Sequence, residues 1–376
     1  MKKKIQTSVI AGLLLLVAAA CSNLTKVKDA ITKPTAREIY KREFREREDL
    51  YNPWQAAYDL ALSDNIEINF PYGEKGKFNP RTNLVYSYTL SLDAGEALSA
   101  SVMKDSLSQR VFMDLYEWNG SSYQLAERAE TGQETIDHPA KGPGKYKLII
   151  QPEIMANSKF FISINKKPVY GFPVAGKGNS AIQSFWADER DGGKRSHEGI
   201  DIFAKRGTPV VAVTEGTISY TGERGLGGKQ VWLRAGIFGN SVYYAHLDKI
   251  AVTSGTQVKE GDTLGFVGNT GNARTTPPHL HFGIYSGYGA LNPLPFIYRT
   301  QKITSSDFPR KFNSPSVKIT TAKATLRQAP ESGSPTIGYL AKNEVVTLLG
   351  ENKNWLHIQT AASQKAFVHK SLVRGI

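Results

Sequence analysis

The chain has 376 residues, of which 40% are hydrophobic and 10% aromatic, so it can bury the cores of two or three domains and is not a disordered protein. Its formal net charge of +13 favours polyanionic partners. Since no RNA- or DNA-binding signature accompanies this charge, we expect an acidic cell-wall polymer or anionic lipid as partner and no nucleic acid. The 34 glycines and 18 prolines are spread along the chain and predict short strands joined by turns, hence a mostly β fold.

The first twenty residues have the pattern of an export signal. Lysines at positions 2–4 precede an apolar run, residues 9–20, that is too short to cross a membrane comfortably. The single cysteine, Cys21, follows Val-Ala-Ala-Ala, which resembles the lipobox of bacterial lipoproteins. This resemblance implies that residues 1–20 are removed, that Cys21 is lipidated, and that the chain is anchored in the cell envelope, at the outer membrane facing the periplasm. Ordinary signal-peptidase cleavage after small residues is the alternative.

Residues 21–80 are predicted to form a tether and a helical segment. Thr35 and Glu38 have the spacing of a helix capping box. The mixed charges of residues 41–48 fit a solvated helix face, although they also fit a contact with anionic lipid or wall. A second helical piece is expected at residues 54–62.

Residues 81–168 change to an alternation of polar and apolar side chains that is typical of strands. The predicted strands lie at residues 85–90, 111–116, 146–150 and 160–164. Glycine-containing turns separate them, and a β-sandwich is the simplest fold for this spacing.

The last part of the chain contains a further set of short strands. After a linker at residues 301–316, the run LR…IGYL…VVTLLG…NWLHIQ…AFVHKSLV within residues 317–376 resembles bacterial SH3-type domains. The resemblance implies a small barrel that binds the cell wall. A small β-module that only packs against its neighbour is the alternative.

Four of the seven histidines lie in residues 169–300, between the predicted β-sandwich and the linker. His279 and His281 flank Leu280, so in a strand both imidazoles share one face and Leu280 points to the other. Their Cα atoms would lie about 6.6 Å apart, which allows both rings to reach one ion, or one ring to bind it and the other to reach its water. The spacing does not show which histidine is the ligand, and two histidines on a solvated face are the alternative.

His197 and Asp201 are four residues apart in a stretch without helical character. On a straight strand they would be about 13 Å apart, too far to share an ion, so we expect the chain to bend at Gly199. Together with one histidine of the 279/281 pair they would supply three zinc ligands and leave the fourth position open, as catalytic zinc sites do. His246 lies at the end of a predicted strand. A single histidine in such a position is more often structural, but the three other histidines of residues 169–300 favour a role in the site.

The motifs that contain these histidines resemble those of one known family. Residues 197–201 (HEGID), 244–247 (YAHL) and 279–282 (HLHF) follow the order of the motifs in lysostaphin-type (LytM-like) zinc metallopeptidases, which cut peptide cross-links in peptidoglycan. The likeness spans about residues 170–297. It implies a β-rich domain of barrel-sandwich-hybrid type at residues 169–300.

The same resemblance implies the roles of the site residues. His197, Asp201 and His281 would bind one zinc ion per chain, and His246 and His279 would be catalytic, with zinc-bound water attacking the scissile carbonyl. The expected function is therefore an exported zinc metalloendopeptidase that acts on peptidoglycan. The alternatives are a non-enzymatic or autoinhibited regulator of other wall hydrolases, with a regulatory protein partner, and a binding protein whose metal is structural.

Overall fold

The computed structural model of the protein describes residues 32–190, 192–236 and 239–376. The export signal and Cys21 lie outside these ranges. Strands predominate over helices in the described residues, which confirms the expected mostly β fold class. In these ranges, no helix is both long enough and apolar enough to span a membrane.

Two helices open the N-terminal unit, residues 32–168. They are α1 (Ala36–Glu43) and α2 (Glu48–Ala61). The expected capping box is present at α1, since Thr35 Oγ1 accepts from Glu38 N at 3.2 Å and Thr35 N donates to Glu38 Oε2 at 2.7 Å. The helices bury Tyr40 and Trp54 against Phe112 of the following strands, and this aromatic cluster fixes them on the sheet.

Eight strands complete the N-terminal unit: β1 (Tyr72–Lys77), β2 (Tyr86–Leu92), β3 (Glu96–Lys104), β4 (Val111–Trp118), β5 (Tyr123–Arg128), β6 (Thr135–Pro139), β7 (Gly144–Pro152) and β8 (Lys159–Pro168). One sheet has the order β2-β7-β4-β5, and β1-β8-β3-β6 are adjacent in a second. Side chains of both sheets share one core, for example Leu148 and Ile162. Strand β1 lies within residues 21–80, where only a tether and helices were expected. It was not predicted because the glycines and charged residues of YGEKGK hide any alternation of polar and apolar side chains.

The central unit, residues 169–300, contains thirteen strands: β9 (Ile182–Ser184), β10 (Glu189–Arg190), β11 (Arg195–Ser196), β12 (Ile200–Phe203), β13 (Pro209–Val211), β14 (Gly216–Arg224), β15 (Gly228–Arg234), β16 (Ser241–Ala245), β17 (Leu247–Ile250), β18 (Gln257–Val258), β19 (Thr263–Val267), β20 (His279–Ser286) and β21 (Gly289–Leu291). A short helix, α3 (Leu294–Ile297), follows. The main sheet has the order β18-β14-β15-β16-β20-β12-β9, and β13-β19-β17 form a second, smaller sheet. Buried aliphatic and aromatic side chains of both sheets form one core.

The C-terminal unit, residues 316–376, has seven strands: β22 (Ser316–Ile319), β23 (Lys323–Arg327), β24 (Thr336–Ala341), β25 (Val345–Asn352), β26 (Trp355–Gln359), β27 (Lys365–His369) and β28 (Val373–Gly375). Strand β25 pairs with β1, with Lys75 opposite Glu351, so the sheet of the C-terminal unit continues into the N-terminal unit. The expected linker, residues 301–316, is also docked, because Phe308 and Phe312 within it are buried.

A buried polar cluster lies at this junction. The carboxylate of Glu74 accepts hydrogen bonds from the hydroxyls of Tyr72 and, at 2.9 Å, Tyr88. His357 Nδ1 lies 3.1 Å from both carboxylate oxygens. Glu74 and His357 are fully buried, and a buried carboxylate is stable only with such partners.

The two ends of the central unit lie close together. At its start, Val169 N donates to Gly95 O and Tyr170 N donates to Phe296 O, both at 2.9 Å. At its end, Thr300 Oγ1 donates to Lys166 O. The chain therefore enters and leaves the central unit beside the end of β8.

Candidate metal centre

Strand register places an aspartate opposite a histidine in the main sheet of the central unit. In the antiparallel pair β12–β20, Asp201 is the partner of His281, and on the other side of β20 Ala245 of β16 is its partner. Leu280 and Phe282 are fully buried on the opposite face. His279 and His281 therefore share one face, as their spacing predicted, and directly opposed side chains are close enough to bind the same ion.

His197 reaches this face because the chain bends at Gly199, as expected. Glycine is also required here for a second reason. A Cβ on Gly199 would lie 2.5 Å from His281 Cε1 and 2.7 Å from Phe282 O. The imidazole of His281 thus lies directly against the backbone of Gly199, a contact that the sequence did not reveal.

Three side-chain atoms converge at the end of this bend. His197 Nε2 is 3.1 Å from Asp201 Oδ1 and 3.0 Å from His281 Nδ1, and His281 Nδ1 is 3.0 Å from the same Oδ1. Zinc bonds of about 2.0 to 2.2 Å in a tetrahedral site place neighbouring ligand atoms about 3.3 Å apart. Two nitrogens and one oxygen at nearly this spacing fit the ligand set of a zinc ion.

The outer atoms of these ligands are held by their neighbours. His197 Nδ1 lies 2.8 Å from Phe185 O and 2.9 Å from Arg190 Nη2. A carbonyl oxygen only accepts, so the shorter contact places the proton on Nδ1 and leaves the Nε2 lone pair for a metal. Arg190 Nη2 also donates to Asp201 Oδ2 at 2.9 Å, which leaves Oδ1 as the ligand oxygen. Arg190 was not predicted as a site residue. In the sequence it belongs to a glycine-containing loop and to no motif that indicates a role near the metal.

The pKa values of the ligands reflect their close contact. Burial raises the pKa of Asp201, but the contacts of its carboxylate with the imidazoles of His197 and His281 outweigh this effect and hold that pKa well below its usual range. Burial lowers the pKa of His281, with hydrogen bonding to Asp201 opposing the change. Both shifts favour the unprotonated forms that bind metals.

His246 and His279 lie beside the ligands and are buried. The His246 ring centre is 5.1 Å from that of His279 and 5.8 Å from that of His281. His246 Nδ1 donates to Thr270 O at 2.9 Å, and His279 Nδ1 donates to Pro277 O at 2.8 Å. Each ring therefore keeps an Nε2 lone pair that can accept a proton.

The position of His246 is unusual in two respects. Its backbone has φ +61°, a left-handed conformation that is costly for a histidine and is held by a hydrogen bond from His246 N to Gly227 O at 2.8 Å. Burial, with the nearby His281 and His279, lowers the pKa of its imidazole to about 4.

The structure thus brings all five predicted site residues together. Among residues 32–190, 192–236 and 239–376, no fourth histidine, cysteine or carboxylate joins the ligand cluster.

Glu198 follows the first ligand, as the glutamate of a zinc helix would, but its side chain is exposed and outside the cluster. We therefore expect Glu198→Gln to retain zinc and cleave substrate within about twofold of the unmodified protein, since general-base catalysis by a glutamate would be worth about 10²-fold or more. Activity and zinc content measured on the same preparation check this. A large loss of activity with zinc retained would show that Glu198 takes part in the reaction.

Gly199→Ala should weaken metal binding at least about tenfold, because the new methyl group pushes the His281 ring and the β20 backbone out of position. Gly287→Ala is the matched control, since a Cβ there meets no atom within 4 Å. Competition with a chelating dye measures zinc affinity in both variants. Equal affinities would contradict the close packing of His281 on Gly199.

Comparison with known proteins places this site in a family. Residues 195–293 match the model of peptidase family M23, and residues 322–374 match that of the bacterial SH3 domain. All five site residues lie within the first match.

Named relatives agree with this assignment. The chain is 34% identical over 140 residues to an L-Ala–D-Glu endopeptidase of Bacillus subtilis, covering 34% of this chain and 43% of that protein. It is 38% identical over 113 residues to the DD-carboxypeptidase/endopeptidase Mpg of Neisseria meningitidis, covering 30% and 25%. The chain thus spans less than half the length of either curated relative.

Among solved structures, the catalytic domain of lysostaphin from Staphylococcus simulans has 34% sequence identity, with coverage of 31% of this chain and 90% of that domain and a TM-score of 0.28. The site residues and the two family matches lead to one conclusion. The chain contains a peptidase family M23 domain of the LytM and lysostaphin type, followed by a bacterial SH3 domain.

Proposed function

We propose that this chain is an exported zinc-dependent endopeptidase that hydrolyses peptide cross-links of peptidoglycan. The observation that carries this proposal is the triangle of His197 Nε2, Asp201 Oδ1 and His281 Nδ1, with two further histidines beside it. The endopeptidase names of the relatives agree with it. One zinc ion per chain would be held by these three atoms.

Zinc bound there would supply Lewis acidity, which polarises a carbonyl and makes water acidic enough to attack near neutral pH. The residues of the chain supply the proton chemistry. His246 and His279 each present an unprotonated Nε2, because their Nδ1 atoms donate to backbone carbonyls. One Nε2 accepts the proton of the attacking water, and the imidazolium so formed stabilises the charged tetrahedral intermediate and can protonate the leaving amine.

The remaining parts of the proposal concern location. Removal of residues 1–20 and lipidation of Cys21 would place the enzyme at the outer membrane, facing the wall polymer in the periplasm. Residues 1–20 contribute three lysines to the full-length formal charge of +13, so a net charge of +10 (13 − 3) would remain and supports association with an acidic polymer. We propose that the SH3 domain contributes to wall binding.

Incubation of residues 22–376 with purified sacculi tests the function. Zinc-loaded protein should lower the fraction of cross-linked stem peptides, measured after the treated sacculi are digested with a glycan-cleaving enzyme, and a chelator should prevent this loss until zinc is restored. A His279→Ala variant loaded with zinc is the matched control for a contaminating hydrolase. Absence of any metal-dependent loss of cross-links would contradict the enzyme and favour a regulator of other hydrolases.

A further inference from the structure

Three aromatic side chains form a continuous surface next to the metal centre. We call Trp232 of β15, Tyr243 of β16 and Tyr285 of β20 the aromatic platform. The Trp232 ring centre is 4.5 Å from that of Tyr243 and 5.2 Å from that of Tyr285, and the two tyrosines are 6.4 Å apart. Each residue is half-buried, so part of its surface is open to solvent, although the indole nitrogen of Trp232 is buried.

The aromatic platform lies on the same sheet face as the metal ligands. Tyr285 is four residues after His281 on β20, so alternation places both on one face. The Tyr243 ring centre is 5.8 Å from that of His281. Leu233, Val242 and Ile284, next to the platform residues in sequence, are fully buried in the core on the opposite face.

A loop holds the platform in place. The backbone of Gly227 lies against the Tyr243 hydroxyl so closely that a Cβ at this position would overlap it. The same glycine accepts the hydrogen bond from His246 N at 2.8 Å. The backbone at Gly227 therefore positions both Tyr243 and His246. This fixes the platform relative to the metal centre.

We propose that the aromatic platform is a specificity subsite that selects a long aliphatic side chain, such as the carbon chain of a diamino acid, over glycine beside the scissile bond. This inference rests on the proposed function. The Tyr243 ring centre is 5.8 Å from that of the metal ligand His281, and a peptide advances about 3.3 to 3.6 Å per residue, so a peptide cleaved at the metal would bring a residue next to the cleaved bond over the platform. Aromatic faces bury methylene groups well, whereas glycine has no side chain to bury.

Two synthetic cross-linked peptides of equal length test the subsite, one with a diamino acid beside the cleaved bond and one with glycine there. The unmodified protein should cleave the first with a kcat/KM about tenfold higher or more, the range that a methylene contact provides. Tyr285→Ala should lose this preference through a higher KM for the diamino peptide, with unchanged zinc content. Tyr288→Ala is the matched control, because Tyr288 is fully exposed at the turn after β20.

Trp232→Leu is a second variant and should show the same loss of preference. A preference for the glycine peptide, or an equal loss on both peptides in Tyr285→Ala, would overturn the subsite. Binding to the zinc-loaded protein, measured by calorimetry, separates this inference from the proposed function. Suppose that neither peptide is cleaved. The subsite is still supported if the diamino peptide binds about tenfold more tightly than the glycine peptide and if Tyr285→Ala abolishes this difference. Equal binding of both peptides, or platform-dependent binding of a wall disaccharide alone, overturns it.

Discussion

His281→Ala should lose zinc, whereas His279→Ala should keep zinc and lose peptide cleavage by about 10²- to 10⁴-fold, the usual contribution of a general acid or base. The reason is geometric. His281 Nδ1 is one corner of the ligand triangle, at 3.0 Å from both other ligand atoms, whereas His279 stands beside the triangle. Metal content by atomic absorption and cleavage of sacculi, measured on the same samples, separate the two roles.

His369→Ala provides the control for this pair, because His369 lies in β27 of the C-terminal unit and should affect neither zinc content nor cleavage. Equal zinc loss in His279→Ala and His281→Ala would contradict the division of roles. Retention of zinc in His281→Ala would show that the three converging atoms are not the ligand set.

The second large effect is on stability. Glu74→Leu should lower the free energy of unfolding by about 3 to 5 kcal/mol, because it leaves a fully buried histidine and two tyrosine hydroxyls without their acceptor. Chemical denaturation followed by circular dichroism measures the change. His357→Leu should also destabilise strongly, since it leaves the Glu74 carboxylate without its ring partner.

The double variant Glu74→Leu/His357→Leu should lose less than the sum of the single variants, because neither partner is then left unpaired. Asp137→Asn is a surface control. It removes an ion pair with Lys167 in which both side chains are more than half exposed, and should cost less than about 1 kcal/mol. A single variant that costs as little as this control would contradict a structural role for the buried cluster.

Local spacing was enough to predict much of the site. The period of two at residues 279–281 placed two histidines on one strand face, and the four-residue interval between His197 and Asp201 required a bend. Spacing alone left the ligand of the pair undecided. That choice depends on the register of β12 with β20, which makes His281 the partner of Asp201 and is a property of pairing between distant segments.

Other features had no signal in the sequence. Arg190 acts through a contact with Asp201, eleven residues away, that only the folded loop creates. Strand β1 carries glycines and charges instead of an alternating pattern, so its pairing with β8 and β25 could not be inferred. The expected linker is packed against the folded units, because its side chains Phe308 and Phe312 are buried.

The close ends of the central unit have a mechanical consequence. Its first residue is bonded to Gly95 and its last to Lys166, while the chain segments on either side of it belong to one continuous sheet. Packing between these two ends reinforces the attachment, because Ala94 lies against the core of the central unit and a Cβ on Gly95 would lie 2.4 Å from the Phe296 ring. The catalytic face therefore has a set orientation relative to the N-terminal unit, unlike that of a domain on a single flexible tether.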